Sequence, residues 1–393
     1  MKTTARIQHG NARQMPEIGS QSVDLIVTSP PYPMITMWDG IFTDQDERIG
    51  KALVEGRGRD AFEGMHALLD AIWHECDRVL KPGGIVCINI GDATRTIDND
   101  FQLYSNHSRI LQSFLHLGYA VLPDILWRKQ TNAPNKFMGS GMLPVGAYVT
   151  YEHEYILILR KGVRRKFTSP AEQQLRRESA FFWEERNLWF SDVWEDIKGT
   201  RQALVEASAR ERSAAFPFEL AYRLICMFSI KSDLVLDPFA GTGTTVAAAM
   251  ASGRSAVGAE FDSSLIGTAL QSLMTLKGFA NAYMEDRLFR HAAYVEKRAG
   301  EKGPMKYENE HYGFPVMTRQ ERELLFNDLI EVTQAGVNSF SVIYDDMPQT
   351  HLKEKWKDVA WSHGEEGRAH GEKTKDKRQE PPASSREQKQ LGF

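Results

Sequence analysis

The sequence predicts an α/β protein built on a doubly wound, Rossmann-like sheet whose two halves are separated by an inserted region, with a small helical appendage near the carboxyl end. Three observations predict it. Short apolar runs such as Val23-Asp24-Leu25-Ile26-Val27, Ile85 to Ile90 and Leu234-Val235-Leu236 read as parallel strands buried on both faces. A long apolar pattern at helical spacing precedes the second run, and a small-residue helix follows the third. Proline- or glycine-rich turns close two of the strands, at the edge where open α/β sheets bind ligands.

The first strand ends in Ser29, Pro30, Pro31 and Tyr32. Two consecutive prolines remove two backbone donors and hold the Pro30 carbonyl at a fixed angle. That carbonyl and the Ser29 hydroxyl are acceptors suited to the two protons of an exocyclic amine, and Tyr32 is a surface on which an extruded base can stack. Taken alone, the string reads first as a proline-rich turn, and the glycine string at Asp237 reverses that preference.

Trp38 to Asp60 follows, with four glycines among charged residues and no core periodicity, and reads as a loop able to close over a bound base or as a solvent-exposed insertion. Phe62, Met65, Leu68, Leu69, Ile72, Trp73, Cys76, Val79 and Leu80 then recur at helical spacing until Lys81-Pro82-Gly83-Gly84 stops the helix. Ile85 to Ile90 is the next strand.

Leu234 to Leu236 is closed by Asp237, and Gly241-Thr242-Gly243 turns into the helix Thr244 to Ala251. Ser255 to Ala259 is a further strand, ending at Glu260, which follows Gly241 by about the 20 residues typical of an acid that binds ribose hydroxyls. Val246 stands where a dinucleotide fingerprint needs a third small residue, and no lysine follows the glycines as a P-loop requires. Hydride transfer and nucleotide hydrolysis are disfavoured accordingly.

Together these strings resemble the amino-methyltransferases of restriction-modification systems, in the permuted β class whose catalytic motif precedes the cofactor motif; the resemblance spans roughly residues 5–275. It implies S-adenosyl-L-methionine as donor and double-stranded DNA as substrate, with base chemistry at Ser29, Pro30, Pro31 and Tyr32. Asp237, Pro238, Phe239, Gly241, Gly243 and Thr244 are then the cofactor loop, with Glu260 on the ribose. Phe216 and Pro217 look like the family segment beside the methionine end of the cofactor, or else a hydrophobic helix start. Asn11 stands where the family carries an aspartate near the cofactor adenine, and reads equally as a turn residue.

Ser-Pro-Pro-Tyr in this family implies cytosine N4, with adenine N6 as the alternative; methylation of RNA or of a protein amide, and a DNA-bound regulator without turnover, are further readings. Carbon-5 methylation is disfavoured because the chain has no Pro-Cys dipeptide. Cys76, Cys87 and Cys226 read as core residues, and no histidine pair has metal-ligand spacing. A reduced cytoplasmic setting, no membrane span, a homodimer and a cognate endonuclease are the accompanying expectations.

The formal net charge is −4, yet 13 Lys and Arg face 9 Asp and Glu between Trp127 and Arg201. Arg160, Lys161, Arg164, Arg165 and Lys166 are the densest cluster and read as phosphate contacts of a target-recognition region, or as a solvated face. Phe181, Phe182, Trp183, Trp189, Phe190 and Trp194 read as packing anchors before stacking platforms.

Past residue 275 the resemblance fades. Thr318 and Glu321 form a capping-box signature before an apolar helix containing Leu324, Leu325, Leu329 and Ile330, stopped near Gly336. The expected organisation is a catalytic half (1–127), a target-recognition insertion (128–205), a cofactor-binding half (206–290), the helical appendage (291–362) and a disordered tail (363–393) poor in apolar residues.

Overall fold

The computed structural model describes residues 1–129, 138–198 and 216–349; the tail expected at 363–393 lies outside them. One sheet holds ten strands: β1 (Lys2–His9), β2 (Val23–Thr28), β3 (Leu80–Ile90), β4 (Ala120–Arg128), β5 (His153–Arg160), β6 (Val193–Trp194), β7 (Leu234–Asp237), β8 (Ser255–Glu260), β9 (Leu329–Gly336) and β10 (Ser339–Tyr344). Their order in space is β6-β4-β5-β3-β2-β7-β8-β1-β10-β9. The central block β3-β2-β7-β8-β1 is parallel, whereas β5 and β10 flank it antiparallel.

The apolar runs are continuous because both faces of that block are covered. On β2, Leu25 and Val27 enter one core with the helices Phe218–Phe228 and Thr244–Ala251, while Ile26 enters the other with the helix Gly58–Val79. This alternation makes the sheet doubly wound. The halves of the chain meet at β2 and β7, where Val235 pairs with Leu25 and Leu236 with Ile26.

Three expectations change. Trp38–Asp60 is not an open loop: it folds into the helices Asp39–Thr43 and Glu47–Val54, and Phe42, Ile49 and Ala52 are buried. Helices this short hide their periodicity, since each shows the core only one or two residues.

Among its described residues, the carboxyl-terminal appendage is helical only where the helix Leu276–Lys302 runs into it and in one further turn. The Thr318–Glu321 capping box forms, but it caps only the short 3-10 helix Arg319–Glu321, and Leu329 and Ile330 begin a strand. Alternating burial along Ser339–Tyr344 has the two-residue period of a sheet, and β10 pairs with the edge of β1.

The expected boundaries also shift. Residue 290 lies inside the continuous helix Leu276–Lys302, and the interval 128–205 contributes β5 and β6 to the central sheet instead of standing apart as an insertion. Among the described residues, no helix is long and apolar enough to cross a membrane.

Candidate active site

The carboxyl ends of β2, β7 and β8 open onto a cleft of about 430 Å³. Ser29, Pro30, Pro31 and Tyr32 form one wall; Asp237, Pro238, Phe239, Gly241, Thr244 and Glu260 form the facing one. Asn11 and Phe216 also line it. Gly243 and Pro217 do not: Gly243 starts the helix Thr244–Ala251 in a left-handed conformation, and Pro217 precedes the helix Phe218–Phe228. The helical segment after the proline turn supplies Trp38, Ile41, Phe42 and Gln45, so it is a packed wall of the cleft.

Asp237 ties the two walls together. Its buried carboxylate accepts 2.6 Å hydrogen bonds from the hydroxyls of Thr28 and Thr245 and one of 3.0 Å from the Phe239 amide. Burial pushes its pKa up to about 6, against the stabilising pull of those three donors. Thr28 immediately precedes Ser29, so one side chain fixes the proline turn and the glycine turn at once.

Behind the proline turn lies a directed chain of hydrogen bonds. Tyr32 donates to Glu154 at 2.9 Å, and its oxygen accepts from Ser29 at 3.1 Å and from the Asn89 amide at 2.8 Å. Asn89 also donates to Glu154, and Lys129 pairs with that carboxylate. Burial, and then the Glu154 charge, hold the Tyr32 phenol well above its ordinary pKa, so it stays a donor toward Glu154. With its proton committed to Tyr32, Ser29 Oγ presents only lone pairs to anything in the cleft.

On the opposite wall Glu260 accepts at 2.7 Å from the amides of both Gly241 and Asp262. Burial raises its pKa while these amides oppose the rise, and each oxygen keeps lone pairs free for further donors. Gly241 has φ +53°, and a Cβ added there would meet no heavy atom within 4 Å, so the turn leaves open space beside its backbone. Phe239 packs edge-on against Trp73 at 6.0 Å. Asn11 accepts from the Arg13 amide and donates to Gln45, the behaviour of a turn residue that also faces the cleft.

The basic cluster is elsewhere. Because β5 runs against β3, its carboxyl end lies beside the amino ends of the parallel strands: Arg160 pairs with Ile85, which pairs with Leu25. Lys161 bonds to the Asp77 and Leu80 carbonyls, and Arg165 pairs with Asp233 and Asp24. Arg164 and Lys166 are exposed on the same loop. The structure therefore does not bring Arg160, Lys161, Arg164, Arg165 and Lys166 to the edge that holds the cleft. Of the aromatics, Phe182, Trp189 and Trp194 are core residues.

A profile for the DNA methylase family N6_N4_Mtase matches residues 23–271, which hold both walls of this cleft. The chain belongs to this DNA methylase family. The methylase is similar to the type II methyltransferase M.MthZI of Methanothermobacter thermautotrophicus, with 51% identity over 351 residues covering 88% of this chain and 97% of the relative. M.MjaI of Methanocaldococcus jannaschii is 49% identical over 274 residues, 67% of this chain and 89% of that one. Among solved structures, TTHA0409 of Thermus thermophilus in complex with S-adenosyl-L-methionine superposes with a TM-score of 0.52 at 32% identity, covering 69% of this chain and 95% of that one.

Glu154, Asn89, Thr28 and Thr245 of the methylase escaped sequence reasoning. The one available signal was Glu154 itself, an acid inside the apolar strand His153–Arg160 that ends up buried.

Proposed function

We propose that this DNA methylase transfers a methyl group from S-adenosyl-L-methionine to the exocyclic N4 of cytosine within a short duplex sequence, after the base has turned out of the helix. The observation that carries the reading is the fixed polarity of Ser29: a hydroxyl oxygen with only lone pairs, next to the Pro30 carbonyl, on the wall facing Gly241 and Glu260.

The residues present fit the donor. Glu260 has acceptor capacity for ribose hydroxyls, Gly241 leaves room for a nucleoside, and Phe239 supplies apolar surface. When bound, the sulfonium supplies an electrophilic methyl group. An exocyclic amine conjugated to its ring is a weak nucleophile; Ser29 Oγ and the Pro30 carbonyl, accepting its two protons, favour the pyramidal nitrogen whose lone pair points away from the ring. Tyr32, its hydroxyl anchored by Glu154 and Asn89, offers its ring to the extruded base.

The N6 amine of adenine has the same two protons, so the product decides. The purified protein is expected to leave N4-methylcytosine in nucleosides released from unmodified duplex DNA after incubation with labelled donor, identified by mass spectrometry; N6-methyladenine alone would reject the cytosine assignment. Mapping the modified positions gives the target sequence.

The ribose assignment has its own test. Glu260→Gln is expected to weaken S-adenosyl-L-methionine binding by about 10- to 100-fold, since hydrogen bonds to a charged acceptor contribute about 1.5–3 kcal/mol. Calorimetric titration of the full chain measures it, and an unchanged Kd would remove Glu260 from the cofactor site.

A further inference from the structure

The arginines that the sequence placed on a DNA face line a second cavity, of about 980 Å³, at the amino ends of the parallel strands. It shares no lining residue with the catalytic cleft. Asp24 and Ile85 mark its floor, and the loop after β5, the helix Pro170–Glu178 and the turn at Arg319 form its walls. The level of Leu25 lies four strand residues from Ser29, roughly 13 Å, and the arginines sit on the far side of it.

Two of the three acids of this cavity are ion-paired, and the third is hydrogen-bonded. Asp24 pairs with Lys81 and Arg165, Glu323 pairs with Arg177, and Glu321 accepts from Thr318 and the Trp183 amide. Arg164, Arg176, Arg186 and Arg319 are exposed and have no carboxylate partner among the described residues. Arg176 lies over the Phe167 ring at 4.7 Å and Arg186 over Phe190 at 5.8 Å, which restrains the guanidinium groups without using their N–H donors. One groove thus gathers four positive charges outside any ion pair, against the single unpaired carboxylate of Glu321, in a chain of net negative charge.

We propose that this groove binds the phosphate backbone of a second stretch of duplex DNA, remote from the base that enters the catalytic cleft. Closely spaced phosphates suit a groove lined by several guanidinium forks that hold no carboxylate, and binding them releases counterions. A short duplex is too stiff to wrap around the sheet from one end to the other, because DNA bends easily only over lengths near 150 base pairs. The proposal rests on the DNA-methylase reading but not on which base is modified.

The test uses the full chain carrying R164Q, R176Q, R186Q and R319Q together, and a companion with lysine at the same four positions. Binding is measured from about 50 to 200 mM salt on a duplex of about 20 base pairs bearing the mapped target and on one of about 500 base pairs. The glutamine variant is expected to bind the long duplex at least about tenfold more weakly, with a salt slope shallower by about 3 to 4 for four lost phosphate contacts. Methylation of the short duplex stays within about twofold, and the lysine variant retains most long-duplex affinity. A loss of short-duplex methylation matching the loss of binding would place the arginines on the DNA held at the catalytic cleft and overturn the proposal. No loss on either duplex would leave the groove to a protein partner or to solvent and overturn it too. A wild type that methylates neither duplex would sink the catalytic reading, while the binding comparison would still judge the groove.

Discussion

Tyr32→Ala is expected to lower methyl transfer by roughly 5- to 150-fold, because stacking of a base on an aromatic ring contributes about 1–3 kcal/mol. Affinity for S-adenosyl-L-methionine should stay within about threefold, since the ring belongs to the wall opposite Glu260 and Gly241. Tyr32→Phe separates the two jobs of the side chain: it keeps the ring but removes the acceptor for the Ser29 proton and the donor to Glu154. Glu154→Gln attacks the same chain from its far end, replacing an obligatory acceptor by a group that can donate. Both conservative variants should lower the rate at saturating donor and leave donor binding alone. Equal losses in turnover and donor affinity for all three would refute the division of roles between the walls.

Asp237→Ala is expected to have the largest effect on the folded state. It strands the buried Thr28 hydroxyl, leaves the Thr245 hydroxyl only the Val27 carbonyl at 3.4 Å, and removes the acceptor of the half-buried Phe239 amide, at a cost of about 2–3 kcal/mol together. Against a typical stability of 5–15 kcal/mol this is a large fraction, and chemical denaturation should show it as a lowered midpoint. Activity should fall further than stability, because the proline turn and the glycine turn lose their common anchor.

The same residue gives a pH signature. Its folded pKa of about 6 lies above the ordinary value of 3.8, so the folded chain holds a proton that the unfolded chain releases between those limits. The contribution is fully present below pH 3.8 and lost as pH rises through about 6. The stability of the wild type minus that of Asp237→Asn should therefore fall across this window, by at most about 1.4 kcal/mol per pH unit. A flat difference would show that the carboxyl is not strained by burial.

Both walls of the cleft were legible in the sequence because each is a local string. A proline turn and a glycine turn carry their geometry in consecutive residues, and their placement at strand ends follows from the apolar runs before them. Glu154 was not legible, because its value depends on β5 pairing with β3 so that it faces Tyr32. Which end of the sheet carries the basic cluster was not legible for a related reason: charge spacing says nothing about whether a strand runs with or against its neighbours. Leu324, Leu325, Leu329 and Ile330 are apolar residues that fit a helix and a strand alike; only Leu329 and Ile330 enter a strand, because β10, seated on the open edge of β1, offers its other edge to Leu329–Gly336.

That edge has a consequence for how the protein behaves in concentrated solution. Without residues 329–344, β1 would present a row of bare peptide groups along a half-apolar strand, a template on which other chains can stack. The hairpin moves the boundary of the sheet out to β9, where Glu331, Thr333 and Gln334 face solvent and two register shifts interrupt the ladder. The last sixteen residues of the sheet thus work as a guard against self-association.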